Sequence, residues 1–256
     1  MLNGPITVGV SLKAYFGYSR AVEWCSAVAR SAGKHPAVRS GDVSLFVAPT
    51  FVQIPAALTA FAGTRVQIAA QDVSSEEAGA ATGEVTASEL AELGVRFAEI
   101  GHAERRARYG EDDEVVAAKV AAALRHNLTP ILCLGESSQI STGAAATEVC
   151  LQLQQSLRGA PLGPVVVAYE PVWAIGASLP AEPDHISEVA AALRRCLNAD
   201  PARAGSAVLY GGSAGPGLLG RLGDSVNGLF LGRFAHDPTA LIQVVDEALR
   251  QTQANA

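Results

Sequence analysis

The chain alternates short apolar runs with helix-period segments from end to end, and no other property limits its fold so tightly. Candidate strands are Ile6–Val10, Ser44–Ala48, Val66–Ala70, Ala98–Ile100, Pro130–Leu134, Val165–Tyr169, Ala207–Tyr210 and Leu229–Leu231. Between them apolar residues recur at helical spacing. Ile186, Val189, Ala190, Leu193 and Leu197 form one such stripe, and Leu241, Val244, Val245 and Ala248 form another. Asp237-Pro238 supplies an N-cap and a first-turn proline for the last helix. Strands that are apolar on both faces belong in a parallel sheet covered by helices. Eight such units in 256 residues match a (β/α)8 barrel in one domain, residues 1–256, with no linker or low-complexity segment between units. An open, doubly wound sheet is the structural alternative, because alternation alone does not demonstrate closure.

On a barrel, every strand-to-helix loop opens on the same face. Three polar residues then fall together. Lys13 follows the first strand in Ser11-Leu12-Lys13, His102 follows the fourth in Gly101-His102-Ala103, and Glu170 ends the sixth. Taken singly, each reads as ordinary surface or structural polarity. Three strand ends converging on one bowl reverse that reading. Glu170 also precedes the apolar, proline-anchored stretch Pro171-Val172-Trp173-Ala174-Ile175-Gly176. A carboxylate beside such a flap suits a general base shielded from water while it removes a proton. Gly176, Gly211-Gly212-Ser213 and Leu231-Gly232-Arg233 follow strands six, seven and eight. Glycines there allow backbone N–H groups to approach a phosphate closely.

Composition removes several functional classes. A net charge of -6 argues against a nucleic-acid surface. Cys25, Cys133, Cys150 and Cys196 are widely spaced and read as small hydrophobes of a reducing cytosol rather than disulfides or a zinc site. With no signal-peptide pattern and no apolar run near the length of a membrane span, a cytoplasmic location is expected. No metal cluster or dinucleotide fingerprint appears, since Gly215-Pro216-Gly217 is too short and carries a misplaced proline. His236 reads as a solvated start to the last helix, and His35, His126 and His185 as surface or helix positions.

Three motifs carry a family resemblance over nearly the whole chain: Gly101-His102-Ala103-Glu104-Arg105-Arg106, Ala168-Tyr169-Glu170-Pro171-Val172-Trp173-Ala174-Ile175-Gly176 and Tyr210-Gly211-Gly212-Ser213. Ala70-Gln71-Asp72-Val73-Ser74, Thr82-Gly83-Glu84-Val85 and Cys133-Leu134-Gly135-Glu136 support them. In order and spacing the chain resembles triosephosphate isomerase, which implies a TIM barrel. It also implies an isomerase that moves a proton between neighbouring carbons of a small sugar phosphate through an enediolate, with no cofactor and no metal. The resemblance makes Glu170 the base, His102 a neutral donor at the start of a helix and Lys13 the fixed positive charge. That pairing of a base glutamate with a neutral histidine is the family's own and is carried over from it. Glu104 resembles the family's additional acid, supporting Lys13. The long segment Asp72–Val85 matches the family loop that inserts into a partner subunit, with Thr82 at its tip, so a homodimer is implied.

The chain departs from the family pattern at the site. Ser11 and Leu12 stand where Asn and Trp are usual, Ala177-Ser178 replaces Thr-Gly after the flap, and Arg233 replaces the second glycine of the phosphate loop. An arginine there can bind phosphate as a two-pronged fork. Serine in place of asparagine opens space beside Lys13. Dihydroxyacetone phosphate is the expected substrate, a four-carbon erythrulose phosphate the alternative, and a non-catalytic sugar-phosphate sensor the more distant one. Ser11, Gly176, Ser213, Gly232 and Arg233 are the expected substrate and phosphate contacts.

Overall fold

The computed structural model describes residues 4–254. Eight strands, β1 (Ile6–Ser11), β2 (Val43–Ala48), β3 (Gln67–Ala70), β4 (Phe97–Ile100), β5 (Thr129–Leu134), β6 (Val166–Tyr169), β7 (Ala207–Tyr210) and β8 (Gly228–Leu231), close in chain order into one barrel. All neighbours are parallel, and β8 returns to β1 with Thr7 opposite Gly228 and Val10 opposite Leu231. That last pairing excludes the open-sheet alternative. Each strand lies within a residue of its expected bounds.

Alternation along each strand sorts side chains between two cores. Outward residues such as Val8, Val10, Leu45 and Val47 are buried under the helices, against Trp24, Val28, Leu241 and Val244 among others. Inward residues Phe46, Ala69, Ile131, Val166, Leu209 and Phe230 fill the barrel itself. Phe46 stacks on Phe97 at 4.8 Å and leans on Phe230 at 5.8 Å. Gly9 makes room for them, because a Cβ at that position would overlap both the Phe46 and Phe230 rings. The floor of the barrel is thus an aromatic plug.

The helices bear on two expectations. Cys150 in helix Thr142–Ser156 and Cys196 in helix Pro183–Asn198 are free thiols whose sulfurs lie 2.9 Å apart. They are therefore neighbours, which their sequence separation concealed. Among the described residues, no helix is long and apolar enough to cross a membrane.

Candidate active site

Each key side chain owes its position to a strand end. Gly101, at φ +73°, turns the chain out of β4 so that His102 becomes the N-cap of helix Ala103–Tyr109. Its Nδ1 accepts the backbone N–H of Glu104 at 3.0 Å. A backbone N–H can only donate, so Nδ1 carries no proton and the neutral ring bears its hydrogen on Nε2. Nε2 faces Glu170 Oε2 at 3.3 Å, without hydrogen-bond geometry, and Lys13 Nζ at 3.2 Å. With Nε2 protonated, the lysine contact is an approach of two donors. Two donors converging this closely are the arrangement an oxyanion binds.

Lys13 sits in the left-handed region at φ 45°, a strained conformation for a residue with a Cβ. The side chain of Gln71, just after β3, holds it there by donating to the carbonyls of Lys13 (3.0 Å) and Ala48 (2.9 Å). Lys13 Nζ donates to Glu104 Oε1 at 3.0 Å. Burial works against the ammonium, but the charges of Glu170, Glu104 and Glu99 outweigh it and hold the Lys13 pKa above its ordinary value. Glu104 is shifted down: burial opposes ionisation there, and the hydrogen bond and charge of Lys13 prevail. Glu170 is 7% exposed and packs against Gly211, where a Cβ would overlap its carboxylate. Ser11, at the end of β1, is buried and donates to Glu99 Oε2 at 3.0 Å.

The flap runs from Pro171 through the short helical turn Val172–Ala174 to Ser178. Its root is held by Glu136, a fully buried carboxylate that accepts from Tyr169 Oη, from Trp173 Nε1 at 2.9 Å and from His185 Nε2 at 3.0 Å. Burial first, then the charge of Glu136, push the Tyr169 phenol well up, which keeps it a donor. On the far side, Ser213 Oγ donates to the carbonyls of Ala174 and Ala177, both at 2.9 Å, and Arg233 Nη2 donates to Gly176 O at 3.3 Å. Two of the expected phosphate contacts thus also latch the flap. Together Ser11, Lys13, His102, Glu170, Ser213 and Arg233 line a cavity of about 630 Å³, and Gly176 and Gly232 complete its rim.

Residues 6–248 match the triosephosphate isomerase family. The chain belongs to that family. It is 47% identical to the L-erythrulose-1-phosphate isomerase of Pectobacterium atrosepticum, over 97% of both chains. It is 37% identical to the L-erythrulose-1-phosphate isomerase of Rhizobium etli, over 90% of this chain and 87% of the other. To the triosephosphate isomerase of Mycobacteroides abscessus it is 42% identical, over 79% of this chain and 82% of the other.

Set in the triosephosphate isomerase family, the remaining expectations divide. Thr82 lies apart from the cavity, exposed on its loop. His236 is not freely solvated; it is half-buried with its ring 4.5 Å from that of Phe16. His185 lies in helix Pro183–Asn198, as expected, and is half-buried there against Glu136 under the flap. Sequence reading passed over Glu99 and the clamping role of Gln71. Both stood in view, Glu99 as an acid on the inward register of β4 and Gln71 as a polar residue directly after β3.

Proposed function

We propose that the protein isomerises a four-carbon keto-sugar phosphate of the erythrulose type, with triose phosphate the poorer substrate. The observation that carries this reading is the likeness to an L-erythrulose-1-phosphate isomerase across 97% of both chains. It favours the second of the two substrates expected from the sequence over the first. The site agrees with it: Ser11 replaces a longer amide at the cavity wall beside Lys13.

The chemistry follows from the side chains. Erythrulose 1-phosphate carries its carbonyl on the second carbon and a hydroxyl on the third. Glu170 removes the proton from the third carbon, giving an enediolate across the two. Returning that proton to the second carbon, while the hydroxyl proton of the third carbon passes to the oxygen of the second, completes the shift and yields the isomeric ketose phosphate. The same transfer on dihydroxyacetone phosphate would give an aldehyde; the four-carbon substrate adds a hydroxymethyl group on the reacting carbon. His102 Nε2–H and the Lys13 ammonium donate to the two oxygens as negative charge grows there. Glu104 orients Lys13. Backbone N–H groups at Ser213 and Gly232, with the Arg233 guanidinium, take the phosphate, while the closed flap keeps water from the enediolate. All atoms and electrons stay within the substrate, so a proton relay suffices.

The test is kcat/KM for L-erythrulose 1-phosphate against dihydroxyacetone phosphate on the wild-type protein. An advantage of at least about tenfold for the four-carbon compound is expected. Equal values, or a preference for the triose, would refute the reading. The assembly we propose is a homodimer, with the exposed tip of the loop 72–85 inserted into its partner. Sedimentation equilibrium should return about twice the 26.3 kDa chain mass, and Thr82→Arg should shift it to a single chain. A wild-type mass of one chain would rule the dimer out.

A further inference from the structure

Glu99 is the one site carboxylate that the proton transfer leaves unused. On β4, Phe97 joins the aromatic floor, and two residues later Glu99 takes the same inward register one layer higher. It is 4% exposed, and among the described residues no cation lies within ion-pair distance of it. A buried carboxylate with no paired cation is expensive to maintain as a structural element. The groups facing it come from four segments: Ser11 and Lys13 from the end of β1 and its loop, His102 from beyond its own strand, the Cys133 thiol from β5 and Glu170 from β6. Its hydrogen-bond partner is Ser11, whose hydroxyl donates to it at 3.0 Å. Ser11 is also a wall of the substrate cavity. A serine hydroxyl has one proton and two lone pairs. With the proton committed to Glu99, Ser11 can only accept from whatever occupies the cavity. An acceptor backed by a buried acid repels an enediolate oxygen and suits a neutral hydroxyl.

We propose that Ser11 and Glu99 form a specificity pair, in which Glu99 holds Ser11 so that its oxygen accepts a hydrogen bond from the hydroxymethyl hydroxyl of the four-carbon substrate. The assignment rests on the four-carbon reading and adds to it the residues that recognise the fourth carbon. Glu99 acts through Ser11 and is therefore a positioning residue. Burial pushes the Glu99 carboxyl up to about 7; His102 pulls against this, Glu170 adds to it, and the Ser11 hydrogen bond and Lys13 oppose it. Protonation of Glu99 would let the carboxyl donate to Ser11 and free the serine proton to point into the cavity. Discrimination between the two substrates is thus expected to change across neutral pH.

Full-length protein with L-erythrulose 1-phosphate and dihydroxyacetone phosphate as probes decides the matter. The wild-type ratio of kcat/KM values tests the four-carbon reading by itself, and a wild type that prefers the triose overturns both proposals. Given a four-carbon preference, Ser11→Ala and Glu99→Leu should each lower the ratio about tenfold. Glu99→Gln keeps an acceptor for Ser11 but cannot titrate, so it should retain the ratio and lose its pH dependence. Ser11→Ala leaves the buried acid in place and serves if Glu99→Leu does not fold. An unchanged ratio in Ser11→Ala, or an unchanged pH dependence in Glu99→Gln, overturns the pair and leaves the four-carbon reading standing.

Discussion

The floor and the rim of the barrel are built from the same eight strands, two residues apart in register, yet obey opposite rules. At the floor, Phe46, Phe97 and Phe230 close over Gly9 in an apolar layer. At the rim, Glu99, Glu170, His102 and Lys13 crowd together, two of them buried acids. The floor shows what apolar packing contributes when nothing else is asked of it. The rim shows charges held out of water by that rigid base. Stability should therefore reside below and reactivity above, with little exchange between them.

Replacing the proposed base gives the largest expected separation. Glu170→Gln should lower kcat by about a thousandfold or more while moving Tm by only a few degrees. A variant that kept most of its turnover would show that the rim works without this carboxylate. The floor should respond inversely. Phe46→Ala, which opens a cavity in the plug, should cost about 3–5 kcal/mol in urea unfolding and leave kcat of the folded protein within a few fold. A large loss of kcat at full occupancy of the folded state would mean the two layers are coupled. The smallest effect concerns the one acid that spans them. The Glu99 carboxyl is raised from 4.5 to about 7, so the folded protein holds a proton there that the unfolded chain releases first. Its contribution to stability is fully present below pH 4.5 and is lost as pH rises to about 7, a swing of at most about 3 kcal/mol. Glu99→Gln should flatten that slope, and an unchanged slope in the variant would place the titration elsewhere.

Most of the rim was legible because its residues follow strands and lie within long, ordered motifs. Glu170, His102 and Lys13 follow β6, β4 and β1, and the structure brings them into contact. The strand count fixed the barrel but not its closure, which needed the β8–β1 pairing. Glu99 escaped for a definite reason: within four residues, Phe97-Ala98-Glu99-Ile100 reads as an apolar strand with one tolerated charge. Only a closed barrel shows that its side of the strand has no water to face. The flap latch was hidden similarly. Ser213 and Arg233 read as phosphate ligands, and their bonds to the Ala174, Ala177 and Gly176 carbonyls depend on two loops that meet only in three dimensions. Cys150 and Cys196 became neighbours through the packing of two helices, which no spacing rule anticipates.

The left-handed backbone at Lys13 carries a consequence for any attempt to improve this protein. Glycine would accept that conformation without strain and release about 1 kcal/mol or more. A screen for heat tolerance alone would therefore select glycine at position 13, and in doing so would discard the ammonium that the proposed mechanism assigns to the oxyanion.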